Sequence, residues 1–229
     1  MSRYGNQFST PPVVLNLLII NLLFFMAGVA LPNQTVEALM NTLGLHFWRS
    51  SAFGFWQPLT CMFLHNGFMH LFMNMFALWM FGRTLEYNLG SRRFLFYYLI
   101  CGIGASLIQT GVNEIGYTFA ISEITRNGIT AALTMKVASI MGSLTIGASG
   151  AVFGVLLAFG MIYPNVMLML IFPPIPIKAK WFVLGYGVIE LLLGISGAAS
   201  NIAHFAHVGG MIFGFFLLSY WKKQHKIRY

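Results

Sequence analysis

Long apolar stretches separated by short polar segments dominate the chain. A run of about 20 mostly apolar residues is long enough to cross a bilayer as a helix. The pattern predicts six such spans, at 12–31, 66–85, 94–112, 149–170, 181–199 and 203–221. Segment 113–126 is polar and is predicted as a loop, and the four prolines of 164–180 also favour a loop. The predicted fold is an all-α polytopic bundle, with one membrane domain over residues 1–229.

Composition supports lipid as the solvent. The chain is 58% hydrophobic and 8% charged, whereas an ordinary soluble domain is about 25% charged. This excludes an ordinary cytosolic enzyme, a disordered chain and a disulfide scaffold. Cys61 and Cys101 lie in apolar stretches and are interpreted as buried structural thiols. The basic residues are scattered between apolar runs and form no stripe, so no nucleic-acid partner is expected.

The distribution of positive charge favours six spans. Under that topology ten of the 13 Lys and Arg residues share one side: Arg3, Arg83, Arg92, Arg93, Lys178, Lys180, Lys222, Lys223, Lys226 and Arg228. The other side holds Arg49, Arg126 and Lys136. A seventh span within 137–163 would scatter this bias. Because cytoplasmic loops carry excess Lys and Arg, both termini are predicted to be cytoplasmic.

A small-residue motif, Gly147-Ala148-Ser149-Gly150, lies midway along an apolar stretch. If a helix begins near Ser149, the residues before it form a loop within the membrane, where irregular backbone must line a cavity or be buried in protein. The unpaired N–H groups at that helix start would stabilise an oxyanion formed by attack of the serine. The alternative is a plain helix contact between small residues.

A second motif, Ala206-His207-Val208-Gly209-Gly210, lies in the sixth span. Gly210 and Gly214 form a GxxxG pair, as do Gly150 and Gly154, and such pairs let helices approach closely. The fourth and sixth spans are therefore expected to touch near the serine and the histidine, within reach of a Ser–His hydrogen bond. The alternative is a lone histidine bonded to a carbonyl, which His204 fits better.

A third group consists of His65, His70 and Asn74. His70 and Asn74 are four residues apart and share a helix face, with His65 just above, so N–H donors gather at one place. Three metal ligands there are the alternative, but neither a carboxylate nor a thiolate stands nearby. Glu190 is alone in the fifth span. It is open to interpretation as a proton site, a partner for a hydroxyl or amide, or a neutral acid.

Together these motifs resemble the rhomboid intramembrane serine proteases, over about 56–214. The resemblance rests on His-x4-His-x3-Asn, Gly-x-Ser-Gly and Ala-His-x2-Gly-x3-Gly, in that order and in the second, fourth and sixth spans. It implies a Ser–His dyad in which Ser149 is the nucleophile and His207 the general base and acid. A dyad suits a chain that has no aspartate.

The resemblance also implies supporting roles. His70, Asn74 and the Ser149 backbone N–H would form the oxyanion hole. The remaining supporting residues would be His65 over the loop, Phe153 stacked on the histidine, the close-packing glycines Gly150, Gly210 and Gly214, and Gly147 before the serine. Phe153 replaces the family's usual tyrosine. Gln57 follows Trp56 where the family has Trp-Arg, and Trp48-Arg49 occurs at another offset.

The predicted function is that of a serine endopeptidase that cuts single-span membrane proteins within or near the bilayer. No cofactor and no metal are expected, and the partners are membrane-protein substrates and lipid. By resemblance, a small residue before the cut and helix-breaking residues nearby are favoured. The short loops and the absence of a targeting presequence suit a bacterial inner membrane. The alternatives are a rhomboid-like pseudoprotease that binds without cutting, and a small proton-coupled transporter.

Overall fold

The computed structural model describes residues 9–169, 174–197 and 203–225. Helices account for most of this part of the chain, which confirms the predicted all-α bundle. In chain order the elements are α1 (Pro12–Ala30), α2 (Asn33–Leu43), β1 (Leu45–His46), α3 (Gln57–Thr60), α4 (Phe68–Ala77), α5 (Arg83–Leu89), α6 (Ser91–Asn127), α7 (Ala131–Met141), β2 (Leu144–Thr145), α8 (Ser149–Ile162), β3 (Met167–Met169), β4 (Pro176–Lys178), α9 (Ala179–Ser196) and α10 (His204–Lys223).

Lipid-facing helices lie at the edge of the bundle. Among the described residues, α1, α6 and α9 are long and apolar enough to cross a membrane. Within an 18-residue apolar stretch of α1, only 17% of the residues are buried inside the protein, and the share for α9 is the same. Leu23 and Val29 of α1 are 61% and 66% exposed, and Leu192 of α9 is 60% exposed. Apolar faces of this extent are stable only against hydrocarbon or a partner.

Helices α6, α8 and α10 form the centre of the bundle. The Tyr97 hydroxyl of α6 donates a hydrogen bond to the Gly154 carbonyl of α8 at 2.8 Å. Cys101 packs where a side chain at Gly154 would lie. Both cysteines are buried and free, which confirms their interpretation as structural thiols.

The second predicted span runs past its predicted end. Helix α4 continues through a π-helical turn, Leu78–Gly82, directly into α5. The Glu86 carboxylate of α5 is 2% exposed. It accepts the backbone N–H groups of Val13 and Val14 at 3.0 and 2.7 Å and the Ser91 hydroxyl at 2.6 Å. It thereby caps the first turn of α1, whose N–H groups have no partner within the helix.

The predicted loop at 113–126 is wrong, because α6 continues through it as a helix of 37 residues. At 1.5 Å per residue this helix is about 55 Å long, well beyond a hydrocarbon core of roughly 30 Å. Its polar side chains satisfy one another along the helix, as Asn127 does by donating to Glu123 at 2.8 Å. The helix ends at Asn127, and the next residue, Gly128, has a φ of +87°, which favours glycine.

The fourth predicted span, 149–170, starts correctly at Ser149 but is too long. Helix α8 has 14 residues and ends at Ile162, since Pro164 cannot continue it. Beyond it, β3 pairs antiparallel with β4 in a short hairpin, and residue 170 is outside the described residues. Helix α7 has 11 residues, about 16 Å, and is too short to be the extra span considered for this region. The predicted end of the fifth span, 198–199, also falls outside the described residues.

Candidate active site

The loop before α8 holds Ser149 at the first position of that helix. Gly147 has a φ of +127°, a region that L side chains rarely adopt. Its N–H donates to the Cys61 carbonyl at 2.9 Å, which ties the loop to the segment before α4. The helix start at Ser149 is thus confirmed, and the first backbone N–H groups of α8 are left without intrahelical partners.

Ser149 and His207 meet between α8 and α10. The Ser149 Oγ lies 2.8 Å from the His207 Nε2, a normal hydrogen-bond length. Gly210 makes the approach possible, because a Cβ there would overlap the Gly150 carbonyl oxygen, whereas a Cβ on Gly150 would overlap Ala105 of α6. The predicted contact between the fourth and sixth spans is therefore confirmed. Gly214 serves a different neighbour, because a Cβ there would overlap the Tyr97 hydroxyl of α6.

Phe153 fixes the plane of the histidine ring. Its ring stacks on His207 with centroids 4.2 Å apart and an angle of 5° between the planes. The other neighbour of Phe153 is Tyr186 of α9, at 4.9 Å. The imidazole is thus held between the serine on one side and an aromatic face on another, and this stacking does not need the hydroxyl of the usual tyrosine.

Glu190 contacts two histidines of α10. Its Oε2 atom lies 2.8 Å from the His207 Nδ1 and 2.7 Å from the His204 Nδ1. The structure therefore gives the Glu190 carboxylate two ring nitrogens as partners, and not the hydroxyl or amide that was one of its three interpretations. The carbonyl partner expected for His204 is wrong, because the acceptor is this carboxylate. The contact between Ser149 and His207 therefore continues through the His207 ring to Glu190, and from Glu190 to His204.

The cluster around Glu190 has the ligand types of a metal site but not the spacing. Among the described residues, one group of His, Cys and carboxylate side chains lies close enough to hold an ion: Glu190, His204 and His207, with ligand atoms within 4.8 Å of one another. Tetrahedral zinc at about 2.0–2.2 Å from each ligand would hold those atoms roughly 3.3 Å apart. The observed separations of 2.7 and 2.8 Å are those of direct hydrogen bonds.

His70 lies over the loop that precedes Ser149. A Cβ on Gly147 would come within 2.8 Å of the His70 Nε2 and Cε1, and 3.6 Å from the Ser149 Oγ. The His70 Nδ1 accepts the Asn66 N–H at 3.3 Å. In the neutral ring the hydrogen is then on Nε2, the nitrogen that lies against Gly147.

His65 and Asn74 flank His70. The His65 and His70 rings meet edge to face with centroids 5.0 Å apart. Asn74 shares the helix face of His70 as predicted, and its Nδ2 donates to the His70 carbonyl at 2.9 Å. An amide has two N–H groups, so this bond uses one of them.

The segment before α3 is held by residues other than the family's usual arginine. Gln57 is fully buried; its Oε1 accepts the His46 N–H at 3.1 Å and its Nε2 donates to the Ala52 carbonyl at 2.8 Å. Arg49 instead pairs with Glu114, on the part of α6 that was predicted as a loop. The Glu114 carboxylate raises the pKa of the Arg49 guanidinium. The ion pair between Arg49 and Glu114 was not predicted from the sequence, because 113–126 was predicted as a loop and not as part of α6.

Comparisons with known proteins match most of the chain. A family model described as the rhomboid domain matches residues 52–223. Rhomboid protein 1, mitochondrial, of Saccharomyces cerevisiae is 30% identical over 152 residues, covering 66% of this chain and 38% of that protein. Rhomboid protease GluP of Bacillus subtilis is 32% identical over 166 residues, covering 70% of the chain and 25% of that protein.

A third relative matches nearly the whole chain. Rhomboid protease AarA of Providencia stuartii is 27% identical over 220 residues, which cover 94% of this chain and 74% of that protein. The chain spans well under half the length of the yeast and Bacillus relatives. The matched domain nevertheless contains every element of the Ser149 site. The chain therefore belongs to the rhomboid family of multi-pass integral membrane proteins.

Proposed function

We propose that this protein is a serine endopeptidase that cleaves single-span membrane proteins within or near the bilayer. The observation that carries the proposal is the 2.8 Å contact between the Ser149 Oγ and the His207 Nε2. It lies at the start of a helix, in a bundle whose outer helices face lipid. A hydroxyl within hydrogen-bond reach of a ring nitrogen is the arrangement of an activated nucleophile.

Acylation begins when His207 takes the Ser149 proton. The Oγ then bonds to the scissile carbonyl carbon, and the carbonyl electron pair moves onto oxygen. The Ser149 backbone N–H and the His70 Nε2–H are the proposed donors to that oxyanion, joined by the second N–H of Asn74. The oxyanion electron pair then re-forms the carbonyl, the C–N bond breaks, and His207 gives its proton to the leaving amine. Water attacks the acyl-enzyme in the second half, with the same histidine as base.

Labelling with a fluorophosphonate tests the nucleophile directly. We expect the probe to modify Ser149 in detergent-solubilised protein, because it reacts with serines that a neighbouring base activates. Mass spectrometry of the labelled peptide identifies the residue. Asn74→Ala should label about 10- to 100-fold more slowly, since one of three donors is lost while the nucleophile and base remain.

The controls separate this proposal from its alternatives. A chelator should leave both rates unchanged, because no metal takes part. Activity lost to a chelator and restored by zinc would contradict the metal-free mechanism proposed here. A protein that binds membrane partners but neither labels nor cuts would be a pseudoprotease.

The proposed topology has six spans and cytoplasmic termini, in a bacterial inner membrane. It is supported by the ten basic residues on one side, although Arg3, Lys226 and Arg228 lie outside the described residues. A phosphatase or fluorescent reporter fused after Tyr229 should therefore read as cytoplasmic. A non-cytoplasmic reading would mean either an odd number of spans or six spans in the opposite orientation, and either result would refute the topology.

A further inference from the structure

Glu190 is the one acid of helix α9, and the other charged residue of that helix, Lys180, lies in its first turn. Helix α9 is one of the described helices able to cross a membrane, and Glu190 is 5% exposed within it. An ionisable group at such a place is costly unless it is paired. Its partners, His204 and His207, stand three residues apart on one face of α10, and their side chains are 5% and 10% exposed. The three groups form a buried cluster behind Ser149.

We propose that Glu190 is a positioning residue that makes His207 a competent base, so that the site works as a Ser149–His207–Glu190 triad. This inference rests on the protease function proposed above. An ionised carboxylate can only accept hydrogen bonds, so the His207 Nδ1 must carry the ring hydrogen. The Nε2 is then unprotonated and faces the Ser149 hydroxyl at 2.8 Å.

The charge of Glu190 acts during the reaction. When the Oγ–H bond breaks, the proton moves to the His207 Nε2 and the ring becomes an imidazolium. The carboxylate, 2.8 Å from Nδ1, keeps its own charge and stabilises that cation without taking a proton. The imidazolium then returns the proton to the leaving amine, and Glu190 is unchanged at the end.

His204 holds the carboxylate in place from the preceding turn of α10. Its Nδ1 meets the same Oε2 atom at 2.7 Å. Its Nε2 has no partner among the described residues, so the Glu190 contact is the polar anchor the structure gives this ring. Two N–H groups on one oxygen fix the position of the carboxylate better than the His207 contact alone. His204 therefore acts on the base only through Glu190.

The test compares Glu190→Gln with His204→Leu. The Gln variant keeps the shape and one acceptor oxygen but removes the charge next to His207. The Leu variant disturbs the same cluster but leaves the Glu190–His207 contact in place. Glu37→Gln, an exposed carboxylate of α2, is the matched control for loss of one charge. Cleavage rates are divided by the amount of Ser149 that a fluorophosphonate labels at completion, so that unfolded protein does not count.

We expect Glu190→Gln to lower kcat by about 10- to 100-fold. This is less than the ~10⁴-fold loss that a wrong histidine tautomer causes in a serine protease, because the acceptor oxygen that Gln keeps can still accept the His207 Nδ1 hydrogen. KM should change little, because the imidazolium forms only in the reaction. His204→Leu should lose less, and Glu37→Gln nothing. Nitrogen-15 NMR of the histidines needs no Glu190 variant: in wild type the His207 Nδ1 should carry the hydrogen.

Three results would overturn the triad. The first is a wild-type kcat in Glu190→Gln, and the second is an equal loss in Glu190→Gln and His204→Leu, which would mean that the cluster only holds α9 to α10. The third is an NMR signal for a bare Nδ1 on His207. All three leave the protease function intact. Absence of Ser149 labelling in wild type would instead refute the protease function, and the triad with it.

Discussion

Replacing Ser149 with alanine should abolish cleavage of a single-span substrate without unfolding the protein. The change removes the atom that would form the bond to the scissile carbonyl, and His207 then has no proton to take. In serine proteases loss of the nucleophile costs up to about 10⁶-fold in kcat, so we expect no cleavage above background. The assay is the appearance of product fragments from a purified substrate in detergent or liposomes.

Ser196→Ala is the matched control for this substitution. Ser196 is exposed at the end of α9, where its hydroxyl donates to the Leu193 carbonyl at 3.1 Å. The same hydroxyl is removed there, so activity and thermal stability should stay at wild-type levels. If Ser149→Ala kept more than a few per cent of turnover, the nucleophile would have to be another residue. A transport activity that survives the substitution would favour the proton-coupled transporter.

The centre of the site was predictable because it is encoded in short local patterns. Small residues on both sides of Ser149 predict the helix start, since the loop before it must pass through a crowded, buried space. Gly210 predicts the close approach of α8 and α10, because a missing Cβ is the requirement for it, whereas Gly150 and Gly214 make room for α6. The shared helix face of His70 and Asn74 follows from their four-residue spacing alone.

The rest depends on contacts between residues that are far apart in sequence. Nothing in the 17 positions from Glu190 to His207 shows that α9 and α10 place them on one oxygen. The polar composition of 113–126 favours a loop, but the chain there contains no proline, and Glu114 gains partners from a distant segment. Gln57 departs from the family pattern, and its three contacts with the backbone of other residues depend on how the chain folds around it.

The contact between α8 and α10 gives the second large prediction, for Gly210→Ala. A Cβ at this position would overlap the Gly150 carbonyl oxygen and come within 2.7 Å of the carbonyl carbon. These are backbone atoms, so the helices must separate. Overpacking of this kind costs about 1–3 kcal/mol of stability. A shift of about 1 Å between the nucleophile and its base can cost roughly 100-fold in rate, so we expect at least that loss in kcat.

Gly185→Ala provides the comparison that makes this result specific. Gly185 lies in α9, and a Cβ there would meet no atom within 4 Å. Alanine favours a helix over glycine by up to about 1 kcal/mol, so Gly185→Ala should melt at or above the wild-type temperature and keep full activity. Melting temperature and kcat are measured for both variants in the same detergent. If Gly210→Ala matched Gly185→Ala in both quantities, close packing of α8 on α10 would not be what holds Ser149 against His207, because a separation forced by one methyl group would then have left the site working.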